Sequence, residues 1–72
     1  MATQTGTDTL VRMINQIAAN QRHRSREDAA TQIATHVNMF WAPSMRADLR
    51  AFAASGGAGL DDLAIDALAK IR

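Results

Sequence analysis

The sequence predicts an all-α fold, a small bundle of about four short helices, and three observations predict it. Apolar residues recur at steps of three and four along most of the chain. No stretch alternates β-branched or aromatic residues with polar ones, as a half-buried strand would. Cap and breaker residues at Ser25, Pro43, Gly56–Gly57 and Asp61 cut the periodic stretches into helix-length pieces. At 72 residues there is room for one core, so residues 8–72 are read as a single helical domain behind a flexible N-terminus, residues 1–7.

In the first helix, Thr7 or Asp8 serves as cap and Leu10, Met13, Ile14, Ile17 and Ala18 form the apolar stripe, with Val11 off it. It runs out at the polar stretch Asn20–Arg24. Ser25-Arg26-Glu27-Asp28 has capping-box spacing, in which the serine oxygen takes one orphan N–H and Asp28 reaches back to another. The second helix therefore starts there, with Ala30, Ile33, Ala34, Val37 and then Phe40 or Trp41 facing the core. Pro43 ends it, because the residue before a proline is driven out of the α region. The same ring suits the first position of a third helix, where no N–H is needed, and Met45, Leu49 and Phe52 form that helix's stripe. Gly56–Gly57 stops it. Asp61 caps the fourth helix, with Leu60 placed to staple against Ile65. Apart from the polar line Asp62, Asp66, Lys70, that helix is apolar over an arc of about 200°, twice the ~100° that one small core covers. Either it lies at the centre of the domain or part of it docks on another chain.

Composition narrows the function. The chain has no cysteine, which removes disulfides, thiol catalysis and cysteine-held metal or iron–sulfur sites. The segment MATQTGTDT lacks the basic and apolar regions of a signal peptide, and no apolar run reaches membrane-spanning length, so the expectation is a cytoplasmic protein without a membrane partner. Eight Lys+Arg against seven Asp+Glu is too even a balance for a dedicated nucleic-acid binder. Large apolar side chains are few, and a core of this size supplies only about 3–5 kcal/mol, which points toward oligomerisation or a partner.

Catalytic signatures are missing. His23 and His36 lie far apart with no HExxH and no carboxylate at ligand spacing, and no GxSxG, P-loop or GxGxxG occurs. Gly56-Gly57-Ala58-Gly59 reads as a helix stop rather than a phosphate cradle, since no Lys-Ser/Thr follows it. Arg22-His23-Arg24-Ser25-Arg26 reads as a solvated turn partly neutralised by Glu27 and Asp28; as a phosphate contact it would be a small footprint without aromatics. The densest constellation runs from His36 to Arg50, where Phe40 and Trp41 at a helix end meet Pro43, Met45, Arg46 and Arg50. A tryptophan and arginines bordering an apolar strip have hot-spot composition, so Phe40, Trp41, Pro43, Met45, Arg46 and Arg50 form the candidate partner interface. Equally, the two aromatics can be the main core rings, one turned inward and one outward.

Three blocks carry a family resemblance: Leu10-Val11-Arg12-Met13-Ile14-Asn15-Gln16-Ile17-Ala18, His36-Val37-Asn38-Met39-Phe40-Trp41-Ala42-Pro43-Ser44-Met45-Arg46, and Gly56-Gly57-Ala58-Gly59-Leu60-Asp61. Together they resemble the delta subunit of the cytoplasmic NAD-dependent, molybdenum-containing formate dehydrogenases, over roughly residues 8–72. The resemblance implies a small non-catalytic accessory subunit, concerned with assembly or stability of an enzyme that oxidises formate to carbon dioxide and reduces NAD. It also implies that larger partners, foremost the molybdenum-binding catalytic subunit, carry molybdopterin guanine dinucleotide, iron–sulfur clusters and flavin, with no cofactor in this chain. Two positions depart from the family pattern: Ala42 stands where an acidic residue is common, and Ser44 where a basic one is. An aspartate at position 42 would cap the third helix, and alanine forgoes about 1 kcal/mol of that unless Ser44 takes the capping role. The residues alone also leave open a self-associating helical module and a small DNA-binding or antitoxin-like protein, although the third helix offers only Arg46 and Arg50 for a recognition face.

Overall fold

The structure, a computed structural model, describes residues 5–72 and contains four helices: α1 (Thr5–Ala19), α2 (Arg26–Phe40), α3 (Pro43–Ala54) and α4 (Asp62–Leu68). No strand occurs among the described residues. The expected flexible N-terminal segment lies mostly outside the described residues; its residues 5–7 form the first turn of α1, which starts ahead of the expected Thr7 or Asp8 cap.

The caps and breakers act as the sequence reading requires, except that among the described residues only the serine half of the capping box forms, with no backbone N–H bonded to the Asp28 carboxylate. Ser25 is the N-cap of α2, and its Oγ accepts from the Asp28 backbone N–H at 3.2 Å. Trp41 and Ala42 are both extended, with ψ of 140° and 151°, which is the conformation Pro43 imposes behind itself, and α3 begins at the proline. At the other end of α3 the Gly56 N–H bonds to the Ala53 carbonyl (3.2 Å) and the Gly57 N–H to the Phe52 carbonyl (3.0 Å), a Schellman closure. Gly57 has φ +63°. A Cβ there would stand 3.3 Å from Leu60 Cδ1 and 3.5 Å from the Ala53 backbone, so both conformation and space call for glycine. Asp61 caps α4, accepting from the Leu63 N–H at 2.9 Å.

The core is formed by Leu10, Ile14 and Ala18 of α1, Ala29, Ala30, Ile33, Ala34 and Val37 of α2, Leu49 of α3, and Leu63, Ala64 and Ala67 of α4, with Trp41, Leu60 and Ile71 from the connections. Alanines at the contacts let short helices approach closely. Two stripe assignments change. Val11 packs against the core while Met13 is 39% exposed. The reason is that α1 is covered by α3 on one flank and by α2 and α4 on others, and Val11 reaches the loop at Gly59. The wide apolar arc of α4 is met chiefly from inside, because α4 packs most extensively on α2 and also on α1. Only Ile65, at 49% exposure, stays largely outside among its large apolar residues.

Candidate interface

The corner between α2 and α3 holds the candidate residues, and its extended pair separates the two aromatics. Phe40 is the last residue of α2 and is 69% exposed, whereas Trp41 turns back into the core at 4%. No buried side-chain nitrogen or oxygen among the described residues lacks a partner, so the indole N–H is not left as an orphan. Met45 is half-buried against the core, and Pro43 and Arg50 are exposed. Ala42 gives α3 no side-chain cap.

Arg46 is drawn into the chain's own hydrogen bonding. Its Nη1 donates to the Trp41 carbonyl (2.7 Å) and to the Asn38 carbonyl (3.5 Å), and its Nε donates to the Arg72 carbonyl (2.8 Å). The carbonyls at a helix C-terminus have no intrahelical donors, and this guanidinium supplies them from the next helix. The forked donor that would suit a partner carboxylate is therefore mostly engaged inside the chain.

Two asparagines complete the scaffold, and neither was singled out by sequence reasoning. Asn15 on α1 donates from Nδ2 to the Gly59 carbonyl and accepts at Oδ1 from the Asp61 N–H, both at 2.8 Å. Asn38 on α2 does the same to the chain leaving α4, donating to the Lys70 carbonyl (3.1 Å) and accepting from the Arg72 N–H (2.8 Å). Each amide thus grips two backbone groups two residues apart, one clamp before the seven-residue α4 and one after it. The only sequence signal was an amide flanking an apolar stripe, which says that a partner is wanted without saying where.

The arginine turn proves to be part of the same scaffold. Arg22 pairs with Asp61, and Arg26 pairs with Asp66. The hydrogen bond to Asp66, then its charge, raises the Arg26 pKa; reciprocally, the hydrogen bond from Arg26 holds the Asp66 carboxyl below the usual carboxylate range. Arg24 donates to the Gln21 side chain at 2.6 Å. Two arginines of this exposed turn thus tie α4 down, Arg22 from the α1–α2 connection and Arg26 from the first residue of α2.

At the α2 end of the corner the exposed surface is apolar, while Arg50 stands exposed on the α3 side. Met39 and Phe40 are 70% and 69% exposed, and the His36 ring stacks on Phe40 with centroids 4.9 Å apart and planes tilted 44°. Among the described residues no three His, Asp or Glu side chains converge as metal ligands, and no helix is long and apolar enough to cross a membrane.

Comparison with known proteins gives one family. A family model described as the NADH-dependent formate dehydrogenase delta subunit, FdsD, matches residues 9–68 of the 72, from the first turns of α1 to the last residue of α4. No curated protein and no solved structure matches the chain.

Proposed function

The chain belongs to the NADH-dependent formate dehydrogenase delta-subunit family, and on that premise we propose that it is a non-catalytic accessory subunit that supports assembly or stability of the enzyme. The observation that carries this reading is a family match spanning all four helices of a domain whose polar groups serve its own closure. The complex would work in the cytoplasm, oxidise formate to carbon dioxide and pass the electrons to NAD. Molybdopterin guanine dinucleotide, iron–sulfur clusters and flavin would reside in the larger subunits. The residues of this chain do not fit those groups: it has no cysteine, its histidines stand apart, and its glycine stretch is a Schellman stop rather than a phosphate loop. The molybdenum-binding catalytic subunit is the foremost partner, and the α2–α3 corner, with Phe40 and Arg50 outward on a frame set by Trp41, Pro43, Met45 and Arg46, is the region that would meet it.

Co-expression with the larger subunits tests this. The chain should co-purify at fixed stoichiometry, and omitting it should lower the yield or heat resistance of the assembled enzyme. Purified alone it should bind no molybdenum, iron, flavin or NAD and should not turn over formate. Stoichiometric cofactor on the isolated chain, or an enzyme equally abundant and stable without it, would sink the proposal.

A further inference from the structure

We infer that the docking face is the outer side of α2, formed by Gln32, Thr35, His36, Met39 and Phe40, and that its occupant is an uncharged apolar pocket on a larger subunit of the enzyme, which takes the Phe40 ring. The inference rests on the accessory-subunit reading and adds a surface and a partner chemistry to it.

The first ground is the distribution of charge. Between Asp28 and Arg46 there is no Asp, Glu, Lys or Arg, and all eight Lys+Arg and all seven Asp+Glu lie outside that stretch. In a helix, positions 32, 35, 36 and 39 fall on one side, and each of them is exposed, as is Phe40 beside them. A solvated helix face on a protein with this many charges ordinarily carries some of them. Depletion of charge, with an aromatic and a methionine at the centre, is the compositional mark of an interface core. A single exposed phenylalanine would need no explanation. Here the ring follows an equally exposed Met39 and is met by the tilted His36 ring.

The second ground is rigidity. Arg46 ties down the carbonyls of Asn38 and Trp41, the residues on either side of Met39 and Phe40, and Trp41 itself is locked in the core. The backbone presenting the two apolar side chains is ordered before any partner arrives, which removes part of the entropy cost of binding.

Shape and charge together choose the occupant. The face is convex, and a protruding ring needs a concavity. A second copy of this chain is a poor source of one, because three grooves on the described surface bear charge: Asp8 and Asp48 in the first, Arg26, Glu27, Asp66 and Lys70 in the second, Arg12 in the third. Two copies meeting face to face would bring together only the five side chains of this face from each, with Met39 and Phe40 the only large apolar ones and no concavity to receive either ring. An aromatic side chain buries about 150–250 Å², whereas a stable dimer needs roughly 800 Å² per partner. A pocket that encloses the ring and spreads along the neutral flank of α2 removes that limit.

The test is co-expression of wild-type chain, Phe40→Ala, Thr35→Asp and the distant control Arg12→Ala with the larger subunits, read as subunit stoichiometry after purification and as affinity of each full chain for the complex prepared without it. Phe40→Ala should weaken association about thirtyfold or more, the usual size of a hot-spot truncation. Thr35→Asp should weaken it through a charge set against an apolar wall, and Arg12→Ala should bind as wild type. Raising salt to about 1 M, where the Debye length is ~3 Å, should leave wild-type affinity nearly unchanged. Circular dichroism melts of each isolated variant separate lost binding from lost folding. If the wild-type chain fails to co-purify, the accessory-subunit reading falls and takes this inference with it. Wild-type stoichiometry for both Phe40→Ala and Thr35→Asp overturns the face alone. So does dissociation of the wild type by salt, or sedimentation of the isolated chain as a dimer that Phe40→Ala converts to monomer, which would make a second copy the occupant.

Discussion

The seam around α4 and the outer side of α2 handle polarity in opposite ways. At the seam, charged and amide side chains reach across it: Arg22 to Asp61, Arg26 to Asp66, Asn15 to the chain entering α4 and Asn38 to the chain leaving it. A helix of seven residues is too short to be stable by itself, since nucleation fixes several residues before the first hydrogen bond forms. Burial of Leu63, Ala64 and Ala67 supplies part of what holds it, and the two amide clamps fix its ends. On the outer side of α2 beyond its first turn, the exposed side chains from Gln32 to Phe40 include no Asp, Glu, Lys or Arg and end in two apolar groups, while the inner stripe is packed against the core. The contrast separates what the chain needs for its own fold from what it has left for a partner.

The sharpest way to break this comparison is at the adjacent aromatics. Trp41→Ala removes the largest core side chain, and such truncations cost about 3–5 kcal/mol, as much as a core of this size provides. The variant should be largely unfolded at room temperature by circular dichroism. Phe40→Ala, one residue away, removes a ring that is 69% exposed and should shift stability by no more than about 0.5 kcal/mol in a urea melt. A comparable loss for both would show that the Phe40 ring is part of the core and that the neutral face is structural.

The clamps give the next largest effect. Asn15→Ala deletes two hydrogen bonds, one of them part-buried, and Asn38→Ala deletes two that are exposed. At about 0.5–1.5 kcal/mol per hydrogen bond, the Asn15 variant should lose roughly 1–3 kcal/mol and the Asn38 variant less, because water replaces its bonds more easily. Hydrogen exchange should quicken locally, at the Asp61 amide in one and the Arg72 amide in the other. Unchanged exchange at both amides would leave α4 held by its apolar side chains alone.

What the sequence disclosed, and what it did not, follows the same division. Ser25, Pro43, Gly57 and Asp61 each act on backbone within about four residues, so their effects could be read along the chain. The Asn15 contacts span 44 and 46 residues and those of Asn38 span 32 and 34, distances at which the chain order carries no pairing information. Arg46 was legible as important, but its bonds to the carbonyls of Trp41, Asn38 and Arg72 were not, because an arginine near a tryptophan looks alike in sequence whether it faces a partner or caps its own helix. The family blocks explain themselves in retrospect: Asn15, Asn38, Arg46, Gly59 and Asp61, which close the fold, all lie inside the three segments that carry the resemblance. The exposed ring was narrowed to Phe40 or Trp41 but not chosen between them, since that choice depends on the backbone turning at Trp41 and Ala42.

The smallest expected effect concerns the strap between Arg26 and Asp66, and it sharpens the comparison by asking how much of the seam is electrostatic. The Arg26 hydrogen bond holds the Asp66 carboxyl below its ordinary value. A carboxyl with a depressed pKa in the folded state stabilises the fold at pH values above its unfolded pKa, about 3.9. That contribution fades as pH falls through the folded value, when both states are protonated. The Arg26 side chain is 64% exposed and Asp66 33%, and ion pairs so open to solvent contribute little. Asp66→Asn should therefore melt slightly below the wild type at pH 7, and the gap should begin to narrow as pH falls below about 4 and close once the pH has passed the depressed folded value, where the wild-type carboxyl also takes up its proton. Added salt should narrow the gap at pH 7 in the same direction, since screening weakens an exposed pair. A gap that persists unchanged at pH 3 would mean that Asp66 acts through shape and hydrogen bonding rather than charge. In that case the seam, like the outer face of α2, owes little to electrostatics, and the two regions differ only in how their polar atoms are paired.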